Sequence, residues 1–231
     1  MKKVILLITS IVLTLSLAGC IRTDIGVTLN KNGTGSVCVS VGIEESVYND
    51  LASTYGANFF EGKTPTPEKY GDTTYMTVKE TTSCSSYDEI KNKLLSLTYN
   101  TEGLEIDDQS SGVDSSTVDN HVFSSVVIDR TSGIFYSVYT FRATVNALQL
   151  NNRQLSNAFL FTITVNMPGK ITQSIGAKPD GKSIVFDLTS SSSTNEIAAV
   201  SESYNYGLVI GICVAMSVAV AAFIIFIKRK K

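Results

Sequence analysis

Residues 24–43 read DIGVTLNKNGTGSVCVSVGI, and this stretch decides the fold. Apolar residues alternate with other residues on both sides of the central segment NKNGTG, as in strands that bury one face. Asn32-Gly33 is typical of a tight hairpin turn, because both central positions of such a turn need positive φ. The stretch therefore predicts an antiparallel hairpin with strands over Asp24–Leu29 and Val37–Ile43.

Helices and further strands are predicted after this hairpin. Apolar residues recur four apart from Glu44 to Tyr55, which predicts a helix, and Ser86-Tyr87-Asp88-Glu89 is a capping box that predicts a second helix over 86–98. Loops are predicted at Pro65 and Pro67 and over 102–120, with a short helix over 147–157. Strands are predicted over 73–81, 121–129, 134–145, 158–166 and 196–201, with a strand pair joined at 179–181. This order predicts an α+β fold with helices packed on a largely antiparallel β-sheet.

The first 20 residues have the organisation of a cleaved leader. Lys2 and Lys3 precede the apolar run Val4–Leu17, which is too short to cross a bilayer but has the size of a signal-peptide core. Leu17-Ala18-Gly19-Cys20 then matches the lipobox of bacterial lipoproteins. That resemblance implies diacylglyceryl transfer to the Cys20 thiol and cleavage before it, and an ordinary secretory signal with a chance cysteine is the alternative.

The C-terminal residues predict a membrane span. No charged residue occurs from Gly207 to Ile227, and a helix of that length spans roughly 31 Å at about 1.5 Å per residue. The basic tail 228–231 follows, which predicts a cytoplasmic C-terminus and an external domain over residues 21–206. Small residues recur every four positions along the span, a pattern that favours helix association; they are Gly207, Gly211, Ala215 and Ala219.

Charge is distributed unevenly along the chain. The formal net charge is −2, but residues 1–20 and 207–231 carry six of the 19 basic residues and none of the 21 acidic ones. Residues 21–206 therefore have a formal charge of −8, which argues against nucleic-acid binding. The membrane is the predicted partner, through the lipid anchor and the span, together with a lipid or glycolipid or another membrane protein.

The sequence contains no recognisable catalytic or metal-binding motif. His121 is the single histidine, and a structural position at the start of a strand is the simpler interpretation. Cys38 and Cys84 are the two external cysteines besides Cys20, and the residues leave open whether they form a disulfide or stay as two thiols. No catalytic residue, metal site or cofactor is therefore predicted.

The stretch Phe159–Leu188, FLFTITVNMPGKITQSIGAKPDGKSIVFDL, resembles the LppM-like lipoproteins of Gram-positive bacteria. The resemblance is carried by Pro168-Gly169-Lys170, by Gly176 and by the strand after Asp180-Gly181. The lipobox, the early hairpin and the terminal membrane helix match in order and placement. The resemblance implies an envelope lipoprotein with an α+β external domain and no established enzymatic activity.

Two functions of different classes follow from these patterns. The first is a non-enzymatic surface lipoprotein, anchored at both ends, whose external domain binds an envelope component at the outer face of the cytoplasmic membrane. If that component is a lipid, the two predicted helices should leave an apolar cleft over the sheet. The alternative is a cell-envelope hydrolase, which requires a cleft where His121 or two carboxylates converge.

Overall fold

The computed structural model describes residues 19–55, 60, 62–98, 121–146, 159–189 and 195–229, with the backbone alone for 54, 55 and 223–229. The described strands are β1 Ile21–Leu29, β2 Gly35–Glu44, β3 Thr66–Tyr70, β4 Thr73–Cys84, β5 Phe123–Ser132, β6 Tyr136–Val145, β7 Phe159–Asn166, β8 Lys170–Ile175, β9 Pro179–Asp180, β10 Ser183–Asp187 and β11 Asn195–Tyr204. The described helices are α1 Glu45–Tyr55, α2 Tyr87–Leu95 and α3 Tyr206–Arg229.

The larger of two sheets is built around β1. Its strand order is β3-β4-β2-β1-β7-β10-β9. β1 pairs antiparallel with β2 and parallel with β7 along almost its whole length, so both of its edges are hydrogen-bonded. The ladder continues past the first residue of β1, because the Glu44 amide donates to the Cys20 carbonyl at 2.8 Å. The hairpin is present, but its turn differs from the predicted one: the Gly33 amide donates to the Asn30 carbonyl at 3.1 Å, so Lys31 and Asn32 are the central residues, and Gly33 follows with a φ of +91°.

The smaller sheet has the strand order β5-β6-β11-β8 and is antiparallel throughout. Buried side chains of both sheets and of α2 form one core. The larger sheet contributes Ile25, Val27, Ile163, Val165 and Phe186, the smaller sheet Phe141, Ala143, Ile197 and Ala199, and α2 contributes Ile90 and Leu94. The domain is therefore two sheets that share an apolar interior with one helix.

α2 begins where the capping box predicted. The Ser86 hydroxyl accepts a hydrogen bond from the Glu89 amide at 3.1 Å, and the Glu89 carboxylate accepts from the Ser85 amide at 2.6 Å. These bonds satisfy donors that a helix start leaves open. The hydrogen bonds that the Glu89 carboxylate accepts from the Ser85 amide and then from the Ser85 hydroxyl hold the pKa of Glu89 below its ordinary value. The helix packs against β5 and β2 and so bridges the two sheets.

α3 follows β11 after the single residue Asn205, whose side-chain oxygen accepts from the Leu208 amide at 3.4 Å. Within the part of the chain that the structure describes, no helix combines the length and the apolar character needed to cross a membrane. The span predicted over Gly207–Ile227 stays a prediction.

The α+β class is confirmed, since the described chain is mostly β-sheet with three helices. The prediction of one sheet is wrong, because the strands divide between two. The two strands predicted to pair around Pro179-Asp180-Gly181 lie in different sheets, since β8 belongs to the smaller sheet and β10 to the larger. The crossing occurs at Gly176, whose φ of +94° lets the chain leave β8 directly beside Phe186.

β3 lies where a proline loop was predicted. Proline cannot donate to a strand ladder, but β3 is the edge strand of the larger sheet, where Pro67 needs no second partner strand. Residues 1–18 of the leader predicted over 1–20 lie outside the described residues. So do the loop over 102–120 and the short helix over 147–157.

Gly35 is the position where the first hairpin tolerates no side chain. A Cβ there would lie 2.1 Å from the Thr28 carbonyl oxygen and 2.6 Å from Ile90 Cδ1. Gly35→Ala should therefore lower the free energy of unfolding by about 3 kcal/mol, the upper range for overpacking. Gly26→Ala is the matched control in the partner strand, because its Cβ would meet Cys38 Cβ at an ordinary 3.5 Å. Equal denaturation midpoints for the two variants would contradict this account.

Candidate functional site

A groove of about 370 Å³ opens over β2 and β4, on the face of the larger sheet that also carries the core. The antiparallel register brings alternate residues of the two strands onto this face. The floor is formed by Val37, Val39 and Val41 of β2 and by Val78 and Thr82 of β4, and Glu80 of β4 lies at the rim. The volume falls within the range of about 300–1,000 Å³ that is typical of small-molecule sites.

Side chains from the end of α2 and from the residues that follow α1 and α2 form the walls. Phe60 and Lys63 follow α1 on one side, and Tyr48 of α1 stacks on Phe60 with ring centroids 6.0 Å apart. Lys93 and Leu97, from the C-terminal part of α2 and just beyond it, form the other side. The groove thus lies where the sequence predicted an apolar cleft.

The rim of the groove is charged. Lys63 Nζ lies 2.7 Å from Glu80 Oε2, with the two side chains 54% and 62% exposed. The hydrogen bond from Lys63, then its charge and then that of Lys93 hold the pKa of Glu80 below its ordinary value. An exposed pair of this kind contributes little to stability. The rim therefore carries two ammonium groups, of Lys63 and Lys93, and one carboxylate, of Glu80, beside the valines of the floor.

Such an arrangement suits an amphiphile with an apolar chain and an anionic head. The valines and Leu97 supply apolar surface, and burying a chain against them is favourable by about 25 cal/mol per Å² of apolar area. Lys93 is the rim cation that has no ion-pair partner among the described contacts of the groove, so it is placed to meet an anionic head. The lining contains a single carboxylate, Glu80, and does not contain His121.

Cys20, the predicted acylation site, is 2% exposed and lies at the start of β1. Burial and then the nearby Glu44 carboxylate raise the pKa of its thiol. The Tyr75 hydroxyl donates to the Gly19 carbonyl at 2.8 Å and covers this end of the strand. No linker separates Cys20 from the fold, because β1 begins at Ile21 and not at Asp24, where the sequence predicts its start.

Cys20 and the start of α3 lie at opposite ends of the domain. β1 runs from Cys20 to the first hairpin, where the Tyr139 hydroxyl of β6 donates to the Lys31 carbonyl at 3.5 Å. Tyr139 lies near the start of β6, and the first residue of β6, Tyr136, pairs with the last residue of β11, Tyr204. β11 therefore ends on the side of the domain where the first hairpin lies. A strand of nine residues is about 30 Å long, so the two attachment points are separated by about that distance.

The disulfide considered between Cys38 and Cys84 is absent, and both thiols are free. Cys38 pairs with Thr81 and Cys84 with Gly35, which places the two cysteines on opposite faces of the sheet. They are also three positions apart along the ladder, about 10 Å, beyond the Cα separation of about 7 Å that a disulfide tolerates.

The remaining predicted residues are dispersed. His121 is exposed and forms an isolated bridge with Thr98. The small residues Gly207, Gly211, Ala215 and Ala219 lie on α3, remote from the groove lining. In the described ranges no three histidine, cysteine or acidic side chains form a group able to hold a metal ion. No sequence motif marks the groove residues, because alternating valines predict a strand with one apolar face and do not show whether other elements pack over that face.

Comparisons with known proteins give one weak likeness. No family model matches the chain, and no curated protein matches its sequence. Among solved structures, the folded domain of LppM from Mycobacterium tuberculosis, determined by NMR, is similar with a TM-score of 0.41 and 8% sequence identity. The match covers 83% of this chain and 94% of that one. The function proposed below rests on this chain's own residues.

Alkylation of the unreduced protein will check the state of Cys38 and Cys84. Both should react with iodoacetamide in denaturant without reductant, and in the folded protein Cys84, at 3% exposed, should react far more slowly than Cys38. Intact-mass measurement reports the number of alkyl groups. Labelling of these two positions only after reduction would contradict the free thiols.

Proposed function

We propose that this chain is a non-enzymatic lipoprotein of the cell envelope, whose external domain binds an anionic amphiphile in the groove over β2 and β4. The groove is the observation that carries the proposal: a floor made mostly of valines, with Lys93 and the Lys63–Glu80 ion pair at its rim. A lipid-like ligand fits this chemistry better than a protein surface does, because the apolar area is concave and narrow.

Anchoring at the membrane completes the proposal. Acylation at Cys20 and a membrane span over Gly207–Ile227 hold the domain at the outer face of the cytoplasmic membrane, with the tail 228–231 inside. Because the Cys20 thiol is buried in the folded domain, acylation precedes the packing of this end of β1 beside Glu44. The fold then forms with the lipid already attached.

The two anchors set the orientation of the domain. They leave the fold about 30 Å apart, at opposite ends of the strands, and neither is joined by a long linker. Both reach one bilayer only when the strand axes run along its surface. An upright domain would hold Cys20 far above the headgroups.

The hydrolase alternative gains no support from the groove. A cleft for acid–base or nucleophilic chemistry needs two cooperating groups within hydrogen-bond reach of a substrate. The groove lining offers Glu80 alone, whose carboxylate is paired with Lys63, and His121 lies elsewhere on the surface.

Binding of two dodecyl amphiphiles will test the groove. Dodecyl phosphate should bind the detergent-free, nanodisc-held protein more tightly than dodecyl maltoside, measured by calorimetry below micelle-forming concentrations. Lys93→Glu should weaken the binding of dodecyl phosphate about five- to tenfold, because one charge contact is lost, and should leave the affinity for dodecyl maltoside unchanged. Lys91→Glu is the matched control, since it makes the same charge change on α2 outside the groove lining. Failure of both amphiphiles to bind the unaltered protein would refute the proposed function.

Reflectometry on a supported bilayer will test the orientation. The acylated protein should form a thin layer, with the strands along the surface. Cys20→Ser, which keeps α3 alone, should form a layer about 10 Å or more thicker, because one end is free to rise. A layer of equal thickness for both proteins would contradict double anchoring.

A further inference from the structure

The hairpin that joins β5 to β6 exposes two large apolar side chains. Ile134 is 70% exposed and Phe135 50% exposed. Gly133 closes the turn, with its amide donating to the Tyr136 carbonyl at 2.8 Å. No charged residue occurs from Thr131 to Tyr139. An uncharged, apolar turn of this kind is unfavourable in water, because it leaves apolar area hydrated.

This turn is bonded to the residue from which α3 starts. The Asn205 amide donates to the Phe135 carbonyl at 2.8 Å, and Asn205 immediately precedes α3. Phe135 therefore lies within about one residue length, roughly 4 Å, of the helix entrance.

Exposed tyrosines surround the same point. The Tyr136 and Tyr204 rings have centroids 6.3 Å apart, and Tyr204 and Tyr206 have centroids 6.0 Å apart. All three rings are about half exposed or more. Tyrosine is enriched where a protein meets the boundary between headgroups and acyl chains. The turn and the three rings together form an apolar and aromatic tip, comprising Ile134, Phe135, Tyr136, Tyr204 and Tyr206.

We propose that this tip is a third membrane contact, in which Ile134 and Phe135 insert into the interfacial layer of the bilayer that α3 enters. The inference rests on the membrane anchoring in the proposed function. A bilayer is the occupant because the tip is continuous with the start of α3, so a helix that enters the bilayer brings Phe135 to headgroup depth. A second protein chain would have to fit between the tip and the membrane at that place.

The absence of tryptophan from the chain permits a direct test. Phe135→Trp places a single tryptophan at the tip of the full-length chain in vesicles whose acyl chains are brominated near the headgroup. Tryptophan emission should fall about twofold or more relative to unbrominated vesicles, because an interfacial ring lies within contact range of the bromine. Met216→Trp lies ten residues, or about 15 Å, along α3 from Tyr206, so it reports separately on the proposed membrane span in vesicles whose acyl chains are brominated near their ends.

Ile175→Trp is the matched control, since Ile175 is also 50% exposed. It pairs with Ala198, six residues or about 20 Å along β11 from Tyr204. Quenching at 135 and 216 with much less at 175 supports the tip contact. Quenching at 216 without quenching at 135 overturns the tip contact and leaves the anchor standing. Loss of quenching at 216 refutes the anchor itself, and equal quenching at 135 and 175 shows association that is not specific to the tip.

Discussion

The pairing of β1 on both of its edges is the constraint on which the rest of the structure depends. β2 and β7 hold the strand from its first residue, and the Glu44 amide extends the ladder to Cys20. The residue that is predicted to carry the lipid is therefore part of the sheet and does not sit on a flexible arm. A lipid attached there would fix the position of β1 directly, because a strand that is hydrogen-bonded on both edges cannot tilt without breaking both ladders.

The groove follows from the way the core is covered. The smaller sheet and α2 cover the middle of the larger sheet, and α2 reaches β2 only along part of its length. Val39 and Val41 therefore remain partly accessible, although they point to the same side as the buried Val37. The groove is an uncovered continuation of the core, with lysines where the cover ends. A site of this origin needs no special motif, since the floor is ordinary strand sequence.

Local patterns in the sequence predicted the elements well and their assembly less well. The Asn-Gly turn and the capping box rest on backbone chemistry within a few residues, and both the hairpin and the start of α2 are confirmed. The division into two sheets was missed, because it depends on which strands pair across long separations. β8 and β10 read as neighbours in the chain, yet Gly176 turns the chain from one sheet to the other. Likewise, neither the free thiols of Cys38 and Cys84 nor the groove could be read without the strand register.

The faces of the larger sheet relate the proposed anchor to the proposed ligand. Cys20 lies on the face that also carries Arg22 and Tyr75, because side chains alternate along β1 and its partners. Val37 and Val41 of the groove point to the opposite face. The acyl chains proposed at Cys20 and the groove therefore lie on opposite faces of the larger sheet, and the smaller sheet packs on the face of the groove. A ligand bound as proposed would lie on the side of the sheet opposite those acyl chains, where the valines would replace the hydrocarbon of the membrane and Lys93 would meet the anionic head.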